Sequence, residues 1–212
     1  MSKASELEDL KKRMIADRSL PLKEGATQLV FGDGSAEAKI FFLGEGPGYW
    51  EDMKGVPFVG NAGALLNRVL ALVKIPREEV FITNVVHYRP PENRDPTPEE
   101  MEAFRYYVDR MIEIIDPRLI VTLGRFSLGK FLAGKKISEV HGRAFVVHFG
   151  GKKLTVVPMY HPAAALRSGD IMFQFRHDFM KLPQMLEEAE KVTNEESDEE
   201  RVESDAEQMG LL

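Results

Sequence analysis

The run Lys39-Ile40-Phe41-Phe42-Leu43, passing directly into Gly44-Glu45-Gly46-Pro47-Gly48, decides the fold. Four consecutive apolar residues bounded by a glycine-rich turn are too short for a buried helix and suit a strand covered on both faces. Two similar runs follow, Val80 to Thr83 (VFIT) and Leu119 to Leu123 (LIVTL), and a fourth strand is expected at Leu154–Val157. That last run pairs with Ala144–Phe149 across Gly150-Gly151, a hairpin signal. Helical periodicity fills the intervals. Ser5–Ala16 places Leu7, Leu10, Met14 and Ile15 on one face, with Ser5 and Glu8 spaced as a capping box. Helices are also expected at Asn61–Val73, from Pro98 or Glu99 to about Ile115, at Phe126–Leu132, and from Asp170 to about Glu190 with a disturbance at Pro183. Pro21–Gly34, Pro90–Pro98 and His161–Arg167 read as loops. Buried strands alternating with helices define an α/β layered domain with a mostly parallel central sheet.

The 212 residues are enough for one core and short for two, so a single domain over 1–190 is expected. The chain contains no cysteine. That excludes disulfides, a thiolate metal site, an iron–sulfur cluster and a cysteine nucleophile. No apolar run reaches the roughly 18 residues of a membrane span, and the N-terminus lacks a signal-peptide core, so a cytoplasmic protein is expected. The net charge of −6 is unevenly placed. Glu187–Leu212 holds 11 acidic and 2 basic residues, and the segment from 191 on reads as a disordered acidic tail. Arg118–Lys181 holds 11 basic residues, among them Lys152, Lys153 and Arg167, against 3 acidic ones. A basic half in an acidic chain fits a polyanion partner as well as it fits a solvated surface.

In parallel sheets, ligands bind beyond the carboxyl ends of the strands. Three of the four ends carry unusual residues. After Leu43 come Glu45, Gly46 and Pro47, then Glu51 and, within Pro57-Phe58-Val59-Gly60, Phe58. These glycines let a ligand approach the backbone closely; the spacing departs from that of a dinucleotide fingerprint, and a plain strand-to-helix turn is the alternative. Asn84 follows VFIT, and its amide can pair with the N–H and carbonyl edge of a pyrimidine or simply cap a turn. The third is His161-Pro162-Ala163-Ala164-Ala165-Leu166-Arg167. Here a histidine can donate to a developing oxyanion, Leu166 can wedge into a base stack and Arg167 can hold a phosphate. His87, three residues past Asn84, is the one other histidine near these ends, and no histidine grouping has metal-ligand spacing.

Taken in order, GEGPG at 44–48, Glu51-Asp52, GVPFVGNAG at 55–63, TNVV at 83–86, RPPENR at 89–94 and HPAAALR at 161–167 resemble the family 4 uracil-DNA glycosylases. The likeness extends over about residues 15–186. It implies a three-layer α/β/α sandwich and hydrolysis of the N-glycosidic bond of deoxyuridine in DNA, with the base flipped out of the helix. By the same likeness Phe58 would stack on the uracil, and Asn84 would read its edge. Backbone N–H groups around Gly46 and His161 would stabilise the leaving anion. Glu45 is favoured for water activation or charge stabilisation; Glu51 is a second candidate, or excludes the thymine methyl. Leu166 and Arg167 would fill the gap left by the base, while Lys152 and Lys153 grip DNA. The family usually binds a four-iron four-sulfur cluster through four cysteines. Those positions here read Asp17, Leu20, Tyr88 and Phe104, so no cofactor and no metal are expected. An apolar plug of Leu20, Tyr88 and Phe104 would take the cluster's place, with Asp17 turned to solvent or to a base such as Arg18 or Arg89. A monomer acting on uracil-containing DNA is expected. The alternatives are a non-catalytic DNA-binding or polymerase-associated module of the same fold, or a relative that binds uracil sites covalently. A mere scaffold needs none of the set Glu45, Phe58, Asn84 and His161.

Overall fold

Successive side chains of Ile40–Gly44 point to opposite sides of the sheet, and the strand is buried throughout. Phe41 and Leu43 enter one core with Phe81, Ile120 and Val156. Ile40 and Phe42 enter a second with Ile82, Val121 and Val157. The same alternation in neighbouring strands gives a sheet with a hydrophobic core on each face. The structure, a computed structural model, describes residues 1–192. Its strands are β1 (Asp33–Gly34), β2 (Ile40–Gly44), β3 (Phe81–Asn84), β4 (Leu119–Leu123), β5 (Phe145–Phe149) and β6 (Lys152–Met159), in spatial order β1-β3-β2-β4-β6-β5. The central four are parallel, and the edge strands β1 and β5 are antiparallel to their neighbours. The carboxyl ends of all four parallel strands therefore share one edge.

The helices in chain order are α1 (Lys3–Ala16), α2 (Tyr49–Lys54), α3 (Asn61–Leu72), α4 (Pro98–Ile115), α5 (Arg125–Phe131), α6 (Ile137–Val140), α7 (Pro162–Ala165) and α8 (Gly169–Met180), followed by a helical stretch over 182–192. Leu7, Leu10 and Met14 of α1 and Phe104, Val108 and Met111 of α4 cover one face of the sheet. Leu65, Leu66 and Val69 of α3 and Phe175 and Phe179 of α8 cover the other. This is the expected three-layer α/β/α sandwich.

Several boundaries differ from expectation. Ser2, not Ser5, caps α1, its hydroxyl accepting from Ser5 N at 3.3 Å, so the helix starts at Lys3. β3 is shifted by one residue because Gly44 and Asn84 still pair, which makes Asn84 part of the strand. Strand β6 has eight residues, twice the expected run, since its first pairs with β5 continue back to Lys152. The loop at His161–Arg167 contains α7: Pro162 at the first helical position, the following alanines and the His161 cap suffice for a short turn. The helix after Asp170 breaks at Lys181 rather than Pro183, which sits at the start of the next helical stretch where its missing N–H is harmless. Residues 191–192, assigned to the acidic tail, are helical; the rest of that tail, 193–212, lies outside the described residues.

Candidate active site

At the carboxyl edge, Gly44 ends β2 where two side chains close over it. A Cβ there would lie 2.4 Å from Asn84 Oδ1 and 2.7 Å from the Phe58 ring, so only glycine lets both approach. Phe58 adopts a left-handed conformation, with φ 52°, costly for a bulky residue. Two contacts hold it there. Gly63 lies so close that a Cβ would meet the Phe58 carbonyl oxygen at 1.7 Å. Glu51 Oε1 accepts from the backbone N–H groups of Val59 at 2.9 Å and Gly60 at 2.8 Å. One oxygen of Glu51 is thus committed to the loop that presents Phe58.

Asn84 is buried at the end of β3, and its Oδ1 has no hydrogen-bond partner in the protein. A buried amide oxygen left unpaired costs about 1–3 kcal/mol, which a donor entering the cavity would offset. His161 caps α7: its Nδ1 accepts from Ala163 N at 3.1 Å. An accepting Nδ1 is unprotonated, so the neutral ring carries its proton on Nε2. Burial, then the Arg167 charge, depresses its pKa to about 4 against an opposing pull from Glu51, which keeps the ring neutral at physiological pH. The ring centroids of His161 and Phe58 lie 5.7 Å apart.

These groups line one cavity of about 230 Å³ with Glu45, Gly46, Pro47, Gly48 and Glu51. It is smaller than the roughly 300–1,000 Å³ of sites for drug-sized ligands and suits a single small ring. A second hollow of about 490 Å³ shares Glu45, Gly46 and His161 with it and opens toward Arg125 and Arg167. Glu45 therefore stands at the junction of the two hollows. Burial raises its carboxyl pKa, as does the nearby Asp95, while Arg125 and Arg167 pull it down.

The structure thus brings together Glu45, Gly46, Pro47, Glu51, Phe58, Asn84 and His161. Leu166 is exposed just past α7, and Arg167 reaches the second hollow. Lys152 and Lys153, read from the sequence as DNA contacts, are not brought to the cavity. They begin β6, whose other end leads to His161, so the length of an eight-residue strand separates them from the cavity. Lys152 pairs with Asp116 at 3.2 Å, at the far end of the sheet. His87, which the sequence gives no site role, lies buried against Phe31 and Phe104 of the first core and does not line the pocket. Its Nε2 is 3.1 Å from Thr83 Oγ1, and burial drops its pKa to about 3. Thr83 Oγ1 already donates to Phe31 O, so His87 Nε2 is the donor in that contact and Nδ1 is left unpaired. Sequence reasoning passed over Arg125, just past the fourth strand end, and the wall formed by Pro90, Asn93, Arg94 and Pro96. The available signal for that wall was a proline-rich loop starting six residues after Asn84.

The four family cluster positions offer one carboxylate, one phenol and two hydrocarbon side chains, in a chain without a thiolate, a donor set that does not fit an iron–sulfur cluster. Leu20, Tyr88 and Phe104 are buried in one core, with the Tyr88 and Phe104 ring centroids 6.2 Å apart. Asp17 turns to neither solvent alone nor an arginine. It accepts from Ser19 N at 2.9 Å, Ser19 Oγ at 2.6 Å and Tyr107 Oη at 2.8 Å, which together lower its pKa, the Ser19 bonds most.

The parallel strands of this sheet carry a glycine-rich turn, an asparagine and a histidine at the ends of β2, β3 and β6, and the chain belongs to the uracil DNA glycosylase superfamily, which residues 31–183 match. The relatives narrow this to the type-4 branch. The chain is 42% identical over 185 residues to the type-4 uracil-DNA glycosylase of Archaeoglobus fulgidus, covering 84% of this chain and 92% of that one. It is 44% identical over 163 residues to the type-4 uracil-DNA glycosylase of Thermotoga maritima, covering 76% and 84%. It is also 36% identical over 167 residues to a DNA polymerase of Bacillus phage SP01, a stretch that covers 78% of this chain and 18% of the polymerase.

Proposed function

We propose that this protein removes uracil from DNA by hydrolysing the N-glycosidic bond, leaving an abasic site, in base excision repair. The observation that carries the reading is the unpaired, buried Oδ1 of Asn84 in a ring-sized cavity that His161 also lines. Uracil presents an N–H to that oxygen. Cytosine presents a lone pair at the same place and is repelled. Reaching the cavity requires the base to leave the stack. Phe58 then lies against its face, worth about 1–3 kcal/mol.

As the bond lengthens, the sugar gains positive charge and the uracil oxygen gains negative charge. The Nε2–H of neutral His161 and the backbone N–H of Gly46 donate to that oxygen. Glu45, at the junction of the two hollows, faces the cationic sugar and orients the attacking water; its raised pKa brings it nearer the range that suits a base. Glu51 acts through the loop it braces, positioning Phe58. Leu166 and Arg167 follow the base into the gap.

The same reading makes the enzyme a cytoplasmic monomer that needs no cofactor. The buried Leu20, Tyr88 and Phe104 support the last point, because they close the N-terminal segment onto α4 by packing. Among the described residues no helix is long and apolar enough to cross a membrane. Incubation with a labelled oligonucleotide carrying one uracil, then alkali, tests the reaction. Strand cleavage is expected. An intact strand with a gel shift would favour a binding module, the reading to which the polymerase relative points; a heat-stable complex would favour covalent capture. Reconstitution with iron and sulfide is expected to leave the protein colourless and its rate unchanged.

A further inference from the structure

The rim of the cavity carries apolar surface that the reaction above does not use. Tyr49, Trp50 and Met53 of α2 are all about half exposed, at 49%, 57% and 48%. Three large apolar side chains left in solvent within five residues are unusual for a helix whose buried residue is Asp52, tied to Thr27 at 2.8 Å. The group is joined to the site at both ends. Tyr49 directly follows Gly48 and Trp50 directly precedes Glu51, two residues of the cavity wall. Trp50 Cδ1 would lie 3.6 Å from a Cβ on Gly60, beside the Phe58 loop. From the opposite wall the Arg89 guanidinium sits over the Tyr49 ring at 5.3 Å. Arg89 is held there by Asn93, whose Oδ1 accepts from its Nε at 2.8 Å. The rings of Tyr49 and Trp50 meet edge to face at 5.1 Å, which leaves ring surface of both open to solvent.

Resting on the excision reading above, we propose that Tyr49, Trp50 and Arg89 form a stacking platform for an unpaired base next to the uracil, making uracil in single-stranded DNA the favoured substrate. Every base has a π-face, so aromatic surface beside a guanidinium binds a strand without regard to sequence, the cation also answering a phosphate. In a duplex a flanking base stays paired and stacked on its other neighbour, and the face the departing uracil exposes is taken by Leu166. In a single strand its faces are free, so the platform adds affinity only there.

Trp50 is the chain's one tryptophan, so its emission reports on this position alone. The probes are two short single-stranded oligonucleotides with a tetrahydrofuran abasic unit at the centre. One has thymines on both sides of it; the other has abasic units there as well. The first is expected to quench Trp50, and the second to bind through its phosphates without quenching. Trp50→Ala is expected to raise KM for single-stranded uracil substrate about tenfold, with a smaller effect on duplex, and Trp50→Phe to restore most of the loss. Equal emission changes with both probes, or equal losses on both substrates, would overturn the platform. Excision by the wild type without quenching sinks this inference alone; absence of excision on either substrate sinks the function it rests on as well.

Discussion

The His161 imidazole has two jobs, and substitution can separate them. Its Nδ1 caps α7, and its Nε2–H is the proposed donor to the leaving uracil. Alanine would remove both, losing the cap at about 1 kcal/mol together with the catalytic hydrogen bond. Asparagine is the better probe. Its side-chain oxygen caps helices well, but the side chain is too short to replace Nε2 in the cavity. Loss of one oxyanion donor typically lowers turnover by about 10²–10³. His161→Asn is therefore expected to keep the melting temperature within a degree or two of wild type while single-turnover excision falls by about that factor. The protonation state adds a second reading. With a pKa depressed to about 4, the ring is neutral from pH 8 down to pH 5, so protonation of His161 contributes no rise in rate across that range. An imidazolium acid of ordinary pKa would instead speed the reaction as pH falls through about 6.5. Near-wild-type rates for His161→Asn, or a rate that climbs about tenfold per pH unit from pH 8 down to about 6.5, levels off below it and is abolished by the substitution, would refute the neutral-donor account.

Gly44→Ala is expected to reduce excision at least as much as truncation of Asn84, because its methyl would displace both Asn84 Oδ1 and the Phe58 ring; normal kinetics would mean that neither is held as described. A further consequence lies in the first core. Buried His87 titrates near pH 3 when folded and near 6.5 when unfolded, so the unfolded chain takes up a proton first as pH falls. Its contribution to stability is complete above pH 6.5 and shrinks by about 2 kcal/mol by pH 5. Urea midpoints should drop over that interval and drop less in His87→Leu; a flat profile in the wild type would contradict the burial.

The sheet was legible because KIFFL and LIVTL are buried on both faces, which leaves neither a helix nor a solvated strand as an option. The site was legible for a related reason. Glu45, Asn84 and His161 each sit within two residues of a parallel strand's end, and parallel strands bring such ends together whatever their separation in sequence. The same logic sets the lysines apart from the cavity. A count of charge along the chain does not know that β6 carries Lys152 and Lys153 to the opposite edge from His161. His87 lies away from the pocket because Asn84 stands at the turn from strand to loop, and three residues suffice to carry the chain back into the core, where Thr83 holds the ring. The wall at 90–96 escaped because prolines and an asparagine carry no chemistry of their own; they matter by where α4 anchors them, through Arg94 and Glu100 at 2.5 Å.

The double use of His161 limits how this scaffold can diverge. On the proposed mechanism, a side chain that fastens a helical turn with one nitrogen and faces the scissile bond with the other transmits every repositioning of that turn to the chemistry. Lineages adapting the penetrating tip to new lesions would thus disturb their own electrophile, whereas the 90–96 wall keeps most of its hydrogen bonds to itself and to α4. New base specificities in this architecture are expected to arise on that wall, with the histidine and its short helix inherited as one unit.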